Sequence, residues 1–225
     1  GDEAEAYRKA EQALAWAEES KHPFSISDAL YRIAAISQIV RRADKALLTA
    51  ERAASISEKN GNLLWKAASV IVHGWALGND DSPDAGIERI TEGNDNYRMV
   101  GPTSGLPYGQ AMLAELLALA GRPEQGLAEL QKARETYDEY GGYWWSSEVD
   151  RLTGQLTMQL ENPDRDQAQR WLERAIETAR QQEAWLFHLR TSVDLTQLLE
   201  SSHDDTRALE LVRESFQHIP AAGDS

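Results

Sequence analysis

The chain has 225 residues, of which 41% are hydrophobic and 27% charged, a composition typical of a folded globular domain and not of a disordered or fibrous chain. Its formal net charge of −14 argues against direct binding to nucleic acid or to an anionic membrane surface, because both are bound through clustered lysines and arginines. It contains no cysteine, which excludes disulfides, thiolate metal sites and cysteine nucleophiles.

The sequence also carries no signal for membrane insertion or export. No run approaches the roughly 18 consecutive apolar residues that a membrane-spanning helix needs. The first residues, GDEAEAYRK, are too polar for a signal peptide. We therefore expect a cytoplasmic protein.

Taken in chain order, the sequence predicts one helix, five helical hairpins and a short tail. Residues 1–22 predict a lone N-terminal helix that caps the stack, and residues 220–225 predict a disordered tail. The hairpins are predicted at 23–61, 62–101, 102–141, 142–183 and 184–219. Apolar residues within each half-hairpin, such as Met112, Leu113 and Leu116, follow the spacing of a helix with one buried face.

Small residues repeat along the chain at spacings of 40 residues, with one spacing of 42. One series is Ala6, Ala46, Gly86, Gly126, Ala168 and Ala208, and a second series in the same phase begins at Ala13. A further series is Ala34, Gly74, Ala114, Gly154 and Thr196. Where two helices of a hairpin cross closely there is no room for a large side chain, so the first and the last of these series are predicted to face each other. The repeat therefore predicts an all-α solenoid in which stacked hairpins share one core.

Turn signals mark the ends of the predicted helices. Glycines at positions 61, 101 and 141 are predicted to end the preceding helices in the left-handed conformation. The segments SPDAG, RPEQG and NPDRD each place a proline at a predicted helix start, with Ser82 or Asn162 as a cap in two of them.

Residues 113–133, LAELLALAGRPEQGLAELQKA, resemble a tetratricopeptide repeat (TPR). Small residues of that motif are matched by Ala114, Gly121, Gly126 and Ala133, and large apolar ones by Leu117 and Leu130. The resemblance implies a TPR-like α-solenoid, which is a right-handed superhelix. The usual TPR period is about 34 residues, so the period of this chain suggests longer helices or turns.

A second resemblance covers residues 65 to about 200, which are similar to the C-terminal TPR region of bacterial multidomain proteins. Those proteins are adenylate or guanylate cyclases or transcriptional regulators that carry a P-loop ATPase domain. The matching residues are Gly74, Trp75, Gly86, Gly93, Tyr97, Gly101, Tyr108, Gly121, Gly126, Trp144, Trp145, Glu148, Arg151 and Gly154. The resemblance implies a regulatory portion of a larger signalling protein. The chain has no G-x-x-x-x-G-K-[ST] motif, so the ATPase and the output domain would lie elsewhere in the parent.

Three local features could suggest chemistry, but each has a simpler structural interpretation. The five histidines never occur with metal-ligand spacing, so no zinc site is expected. The acidic loop 79–86 lacks the glutamate that closes a calcium loop and is better explained as a helix cap. GPTSG, residues 101–105, does not place Ser104 as a nucleophile elbow does and is expected to be a turn. We expect no cofactor and no catalytic residues.

The inner face of the superhelix is the predicted binding surface, because first helices of stacked hairpins line it and peptides dock there. Counting from the small residue of each first helix, in the manner of the TPR motif, gives the candidate contacts for a partner. They are Asp28, Tyr31, Gln38, Trp75, Tyr108, Glu115, Trp145, Glu148, Arg151, Gln155, Arg190 and Gln197. The alternative for Tyr31 and Trp75 is that they only fill core space.

The aromatic segment YDEYGGYWW, residues 137–145, falls at the joint between two predicted hairpins. Most of its aromatic area is expected to pack between neighbouring repeats. Of the two tryptophans, Trp145 and not Trp144 is expected to reach the groove.

Two functions remain open from the sequence. The first is a non-catalytic interaction module that binds a peptide, a partner protein or a domain of its own parent. The second is a small-molecule sensor. A long open groove would favour the first, and polar groups converging on one pocket would favour the second.

Overall fold

A computed structural model describes residues 3–79, 82–101, 103–140, 143–199 and 205–219. Within these ranges the chain forms eleven α-helices and two short 3-10 turns, Thr103–Gly105 and Tyr143–Trp145, and no strand. The helices are α1 (Glu3–Ser20), α2 (Pro23–Ile39), α3 (Ala43–Lys59), α4 (Leu63–Gly78), α5 (Pro83–Val100), α6 (Leu106–Leu119), α7 (Pro123–Tyr140), α8 (Ser146–Met158), α9 (Arg165–Gln181), α10 (Trp185–Leu199) and α11 (Asp205–His218). The predicted tail 220–225 and the glycine joint 141–142 lie outside the described residues.

The helices stack as an all-α, TPR-like α-solenoid, which confirms the predicted fold class. Each helix packs against the next one along the chain. The even-numbered helices α2, α4, α6, α8 and α10 also contact one another in succession, and they form the inner layer of the stack. The largest core cluster runs from Ala34 on α2 to Phe187 on α10, so neighbouring hairpins share one core, as repeat proteins require.

Local sequence explains where the helices begin. Pro83 and Pro123 open α5 and α7 at the predicted positions, although Ser82 makes no side-chain cap. Helix α9 begins later than NPDRD suggested, since the Asp164 carboxylate accepts from the backbone N–H of Gln167 at 2.8 Å and caps the helix in place of Asn162.

The glycine turns follow the prediction at one of the two described positions. Gly61 has a φ of +68° and ends α3 in the left-handed region. Gly101 has a φ of −104° and a ψ of 163°, so it ends α5 in an extended conformation and not in the left-handed region.

The predicted helix crossings are present. A Cβ atom placed on Gly86 would lie 2.6 Å from the carbonyl oxygen of Gly74. The corresponding Cβ on Gly126 would lie 3.0 Å from the carbonyl oxygen of Ala114, and that on Gly154 would lie 3.0 Å from the carbonyl oxygen of Ala168. Backbones therefore touch at these positions, which explains why the two series hold only small residues.

The repeat series does not extend into the core at α1. Ala13 is exposed and Ala6 is only half-buried, whereas Tyr7, Ala10 and Ala17 are buried. The reason is that α1 packs on α2, where the Tyr7 hydroxyl donates to Ser37 Oγ at 2.9 Å, and no described helix crosses the Ala6 and Ala13 face.

A buried histidine links the last two helices. His188 on α10 is fully buried, and its Nδ1 lies 2.7 Å from Ser215 Oγ on α11. Burial lowers the pKa of His188 below 6.5, although Glu214, with Oε2 3.8 Å from His188 Nε2, acts in the opposite direction.

Acidification is therefore expected to destabilise the fold through this histidine. As pH falls below 6.5, the unfolded chain binds a proton at His188 while the folded chain does not, so the free energy of unfolding decreases. Urea unfolding between about pH 7.5 and pH 5.5 measures this effect, since histidine is the side chain that titrates in that range. A His188→Gln variant should show a shallower pH dependence. Part of the dependence should remain, since burial also lowers the pKa of His73, which both proteins contain. An unchanged pH dependence in His188→Gln would contradict the assignment to His188.

Candidate ligand site on the inner face

The structure buries half of the predicted inner-face residues. Gln38, Trp75, Tyr108, Trp145, Glu148 and Arg151 are buried. Asp28, Tyr31, Glu115, Gln155 and Arg190 are half-buried, and Gln197 is exposed. The six buried side chains point inward and fill the interior of the superhelix, which is narrow at these positions. Their role as ligand contacts remains a prediction.

Aromatic rings fill the middle of the inner layer. The ring centroid of Trp145 lies 4.7 Å from that of Tyr108 and 5.0 Å from that of Phe187, both in edge-to-face geometry. The Tyr108 hydroxyl donates to Gln38 Oε1 at 2.9 Å and ties α6 to α2. Of the five aromatic side chains in residues 137–145, Tyr137 and Trp145 are buried, whereas Tyr140, Tyr143 and Trp144 are half exposed. The expectation that most of this aromatic area packs between repeats is therefore met only in part.

Burial argues against the expectation that Trp145, and not Trp144, reaches the groove. Trp145 is only 2% exposed because Tyr108 and Phe187 enclose it, whereas Trp144 is 50% exposed. Trp144 packs on Tyr108 in a tilted geometry, with ring centroids 5.3 Å apart. Adjacent residues in a 3-10 turn point in different directions, so one of the two indoles had to face outward.

Trp75 is a core residue with one polar contact, as the alternative interpretation held. Its Nε1 donates to Glu115 Oε2 at 3.1 Å. The other oxygen of Glu115 accepts a hydrogen bond from Arg41, whose guanidinium lies 5.5 Å from the centre of the Trp75 ring. Tyr31 is half-buried and packs on Trp65 at 5.2 Å between ring centroids.

A buried ion triad lies on α8 and α10. Arg151 donates to both oxygens of Glu148, at 3.0 and 2.9 Å, and to Asp194 Oδ2 at 2.9 Å. Burial acts to raise the pKa of Glu148, but pairing with Arg151 holds that pKa below its usual range. The pKa of Asp194 is raised by burial, against the opposing effect of Arg151. Arg151 therefore holds two carboxylates, and Glu148 depends on it for charge compensation.

Arg190 links the last helix of the inner layer, α10, to the first, α2. Its guanidinium donates to the backbone carbonyl of Ile39, at the end of α2, across 151 residues of sequence. Among the described residues no carboxylate forms an ion pair with Arg190. Burial lowers its pKa to about 10, an effect that Arg41 and Arg151 add to and Glu148 opposes. Arg190 is thus an incompletely compensated charge inside the superhelix.

An open cavity of about 580 Å³ lies beside these groups. Four predicted residues line it, namely Glu115, Arg151, Gln155 and Gln197. Charged residues that the sequence did not indicate also line it, namely Arg41, Arg165 and Asp194. The spacing of Asp194 one helical turn after Arg190 could have identified Asp194. Arg41 lies in the turn after α2 with a φ of +64°, so helical spacing gave no information on its direction.

A separate set of exposed apolar side chains lies at one end of the stacked helices. We call it the apolar edge, and it comprises Phe24, Leu63, Met99, Tyr143 and Trp144. Phe24 and Leu63 lie at the starts of α2 and α4, Met99 lies near the end of α5, and Tyr143 and Trp144 directly precede α8. Since odd-numbered helices end where the next even-numbered ones begin, these side chains share one side of the stack. Large apolar side chains that are exposed on the same side of a protein are typical of a binding site.

The described residues contain no group of three or more histidine, aspartate or glutamate side chains placed to hold a metal ion. Within the same part of the chain no helix combines the length and the apolar character needed to cross a bilayer.

Comparison with known proteins supports the fold at low sequence identity. No protein-family model matches the chain, and no curated protein is similar to it in sequence. The crystal structure of the apo form of RapI superposes with a TM-score of 0.70 at 14% identity, over 93% of this chain and 74% of RapI. The crystal structure of BtubC (BKLC) from P. vanneervenii superposes with a TM-score of 0.62 at 16% identity, over 100% of this chain and 94% of BtubC. At these identities the likeness establishes the helical-repeat fold alone.

Proposed function

We propose that this chain is a non-catalytic interaction and regulatory module of a larger bacterial signalling protein. Its partner is a peptide or protein surface, such as the ATPase or output domain of its own parent. The likeness of residues 65 to about 200 to the TPR region of such parents supports this context. TPR-like solenoids are well suited to the role, because a rigid stack presents an extended surface.

The apolar edge is the observation that supports partner binding most directly. Its side chains are large and exposed, and two of them, Tyr143 and Trp144, are aromatic side chains of the kind that dominates binding energy at protein interfaces. Trp144 rests on Tyr108, so it is held in place before a partner arrives. Two of the predicted contacts, Tyr108 and Trp145, act in this proposal as support for Trp144, because they are buried and their rings pack against it.

Selection of displayed random peptides on the purified chain tests this proposal. Peptides enriched on the wild type are expected to bind a Trp144→Asp variant about thirtyfold more weakly, the loss that corresponds to an aromatic hot spot of about 2 kcal/mol. Trp16→Asp is the matched control, since Trp16 is also an exposed tryptophan, 62% exposed, but lies on α1 away from the apolar edge. Failure to enrich any peptide, or equal binding to both variants, would contradict the proposal.

Small-molecule sensing is the second candidate, and the inner cavity favours it. Charged and amide side chains from four inner- and outer-layer helices, α6, α8, α9 and α10, converge there together with Arg41. Trp75, Tyr108 and Trp145 fill the neighbouring inner surface, so the cavity is a compact pocket and not part of a long groove. Glu115, Arg151, Gln155 and Gln197 are the contacts of this second candidate.

A further inference from the structure

The last inner helix, α10, has an apolar side that no described helix covers. In the earlier hairpins the corresponding side packs against the next inner helix. Arg151 on α8 bonds Asp194 on α10 and is 4% exposed, and Ile71, at the equivalent position of α4, is also 4% exposed. Val193 occupies the same position of α10, 42 residues after Arg151, and is 41% exposed. The repeat therefore continues to the end of the described chain, but its last contact surface is open.

The last outer helix, α11, shows the same difference. Ile176 on α9 shares a core cluster with Leu195 of α10 and is 4% exposed. Phe216 lies 40 residues later, at the equivalent position of α11, and is 63% exposed. Leu209 is exposed as well, and it precedes Phe216 by two helical turns, so both side chains share one side of α11. We call the surface formed by Val193, Leu209 and Phe216 the C-terminal face.

The C-terminal face fits a second copy of this chain. Helices α10 and α11 pack as a hairpin, and two hairpins that each have one uncovered apolar side can complete a common core as a four-helix bundle. The charged residues of the two helices are Arg190, Arg207 and Arg213 against Asp194, Asp205, Glu210 and Glu214, which gives a net charge of −1. Two copies can therefore meet at this face with little like-charge repulsion, although each chain carries a formal charge of −14.

The opposite end of the stack is a poorer partner for this face. Apart from three alanines and Trp16, the exposed residues of α1 are charged or polar. Contact between the C-terminal face of one copy and α1 of the next would also leave another C-terminal face open, and the assembly would grow into a filament. Two C-terminal faces that meet each other form a closed pair with one two-fold axis.

We propose that the chain forms a two-fold symmetric dimer in which the C-terminal faces of two copies pack against each other. Removal of Val193, Leu209 and Phe216 from water drives the association. The contact continues the inter-repeat core of the solenoid across the two-fold axis. It goes beyond the interaction module proposed above and uses none of the residues of the apolar edge.

Sedimentation equilibrium of the purified chain tests the proposal. The wild type is expected to sediment at micromolar concentration with twice the mass of one chain. Phe216→Glu places a charge in the apolar contact and should raise the dissociation constant of the dimer at least about thirtyfold, as loss of a central aromatic contact does. Phe24→Glu is the matched control, since Phe24 is also an exposed phenylalanine but lies at the start of α2. It should leave the dissociation constant unchanged.

A second variant places the contact on both helices of the hairpin. Val193→Glu changes α10 and not α11, and it should also weaken the dimer. Val193 and Phe216 are exposed in the single chain, so both variants should keep the far-UV circular dichroism of the wild type, which separates loss of the dimer from loss of the fold.

Three results would overturn the proposal. They are a wild type that stays monomeric up to about 100 µM, a dimer that persists unweakened in Phe216→Glu or Val193→Glu, and a dimer that Phe24→Glu disrupts. Peptides selected through the apolar edge should bind Phe216→Glu normally, so failure of the dimer and failure of the interaction module are distinguishable.

Discussion

Replacing Arg151 with methionine is expected to lower the free energy of unfolding by about 3–5 kcal/mol, the cost of removing one partner from a buried ion pair. The side chains of Arg151 and Glu148 are buried together, and Asp194 completes the ion triad. Methionine would fill a similar volume, but it would leave the carboxylate of Glu148 without compensation. Equilibrium denaturation with urea or guanidinium measures the change.

A second substitution and an exposed pair serve as controls for this prediction. Adding Glu148→Gln to the Arg151→Met variant should recover part of the loss, because it removes the uncompensated charge. Arg98 and Asp95 form an ion pair at the same i, i+3 spacing but on the surface, so Arg98→Met should cost less than about 1 kcal/mol. If Arg151→Met costs no more than Arg98→Met, burial does not control the strength of the triad.

Substituting Gly86 with valine is expected to destabilise the solenoid by roughly 3 kcal/mol, the upper part of the range for overpacking. Even the first added atom, Cβ, would lie 2.6 Å from the carbonyl oxygen of Gly74 and 2.6 Å from the Cα of Gly78. Both are backbone atoms of α4, so a rotamer change cannot relieve the contact and the two helices must separate. Helices α4 and α5 share an extensive interface, so separation would loosen the middle of the stack.

The control for Gly86→Val is a substitution on the opposite face of the same helix. Glu88 is exposed on α5, and Glu88→Ala should change the free energy of unfolding by less than about 0.5 kcal/mol. Thermal unfolding of the three proteins compares them directly. A Gly86→Val variant as stable as the wild type would show that α4 and α5 can move apart freely.

The sequence predicted the architecture because its evidence was local and repeated. The close approach of the helices at Gly86 and Gly74 requires small residues, and the same small-residue pattern recurs at Gly126 and Ala114. Departures occurred where the local context changed. Gly101 leads into a 3-10 turn, and α1 has no described helix against its Ala6 and Ala13 face.

The site was predicted less completely, because helical spacing gives the direction of a side chain and not the depth of the space around it. Tyr108 and Trp75 do face the inner layer, but the superhelix is tight there and both are buried. The curvature that brings Arg190 to Ile39 is a sum of small angles between hairpins, and no single residue encodes it. The same curvature places Arg41 in the cavity lining, so its position there could not be predicted from the sequence.

The contact between Arg190 and the Ile39 carbonyl has a mechanical consequence. A stack whose hairpins touch only their neighbours responds to tension as a linear spring, which lengthens by small rotations at every joint. In this protein the Arg190 hydrogen bond joins α10 back to α2, so the stack should resist extension until that bond breaks. The force–extension curve of a single molecule should therefore show a stiff initial rise and a discrete release, with gradual lengthening only after the release.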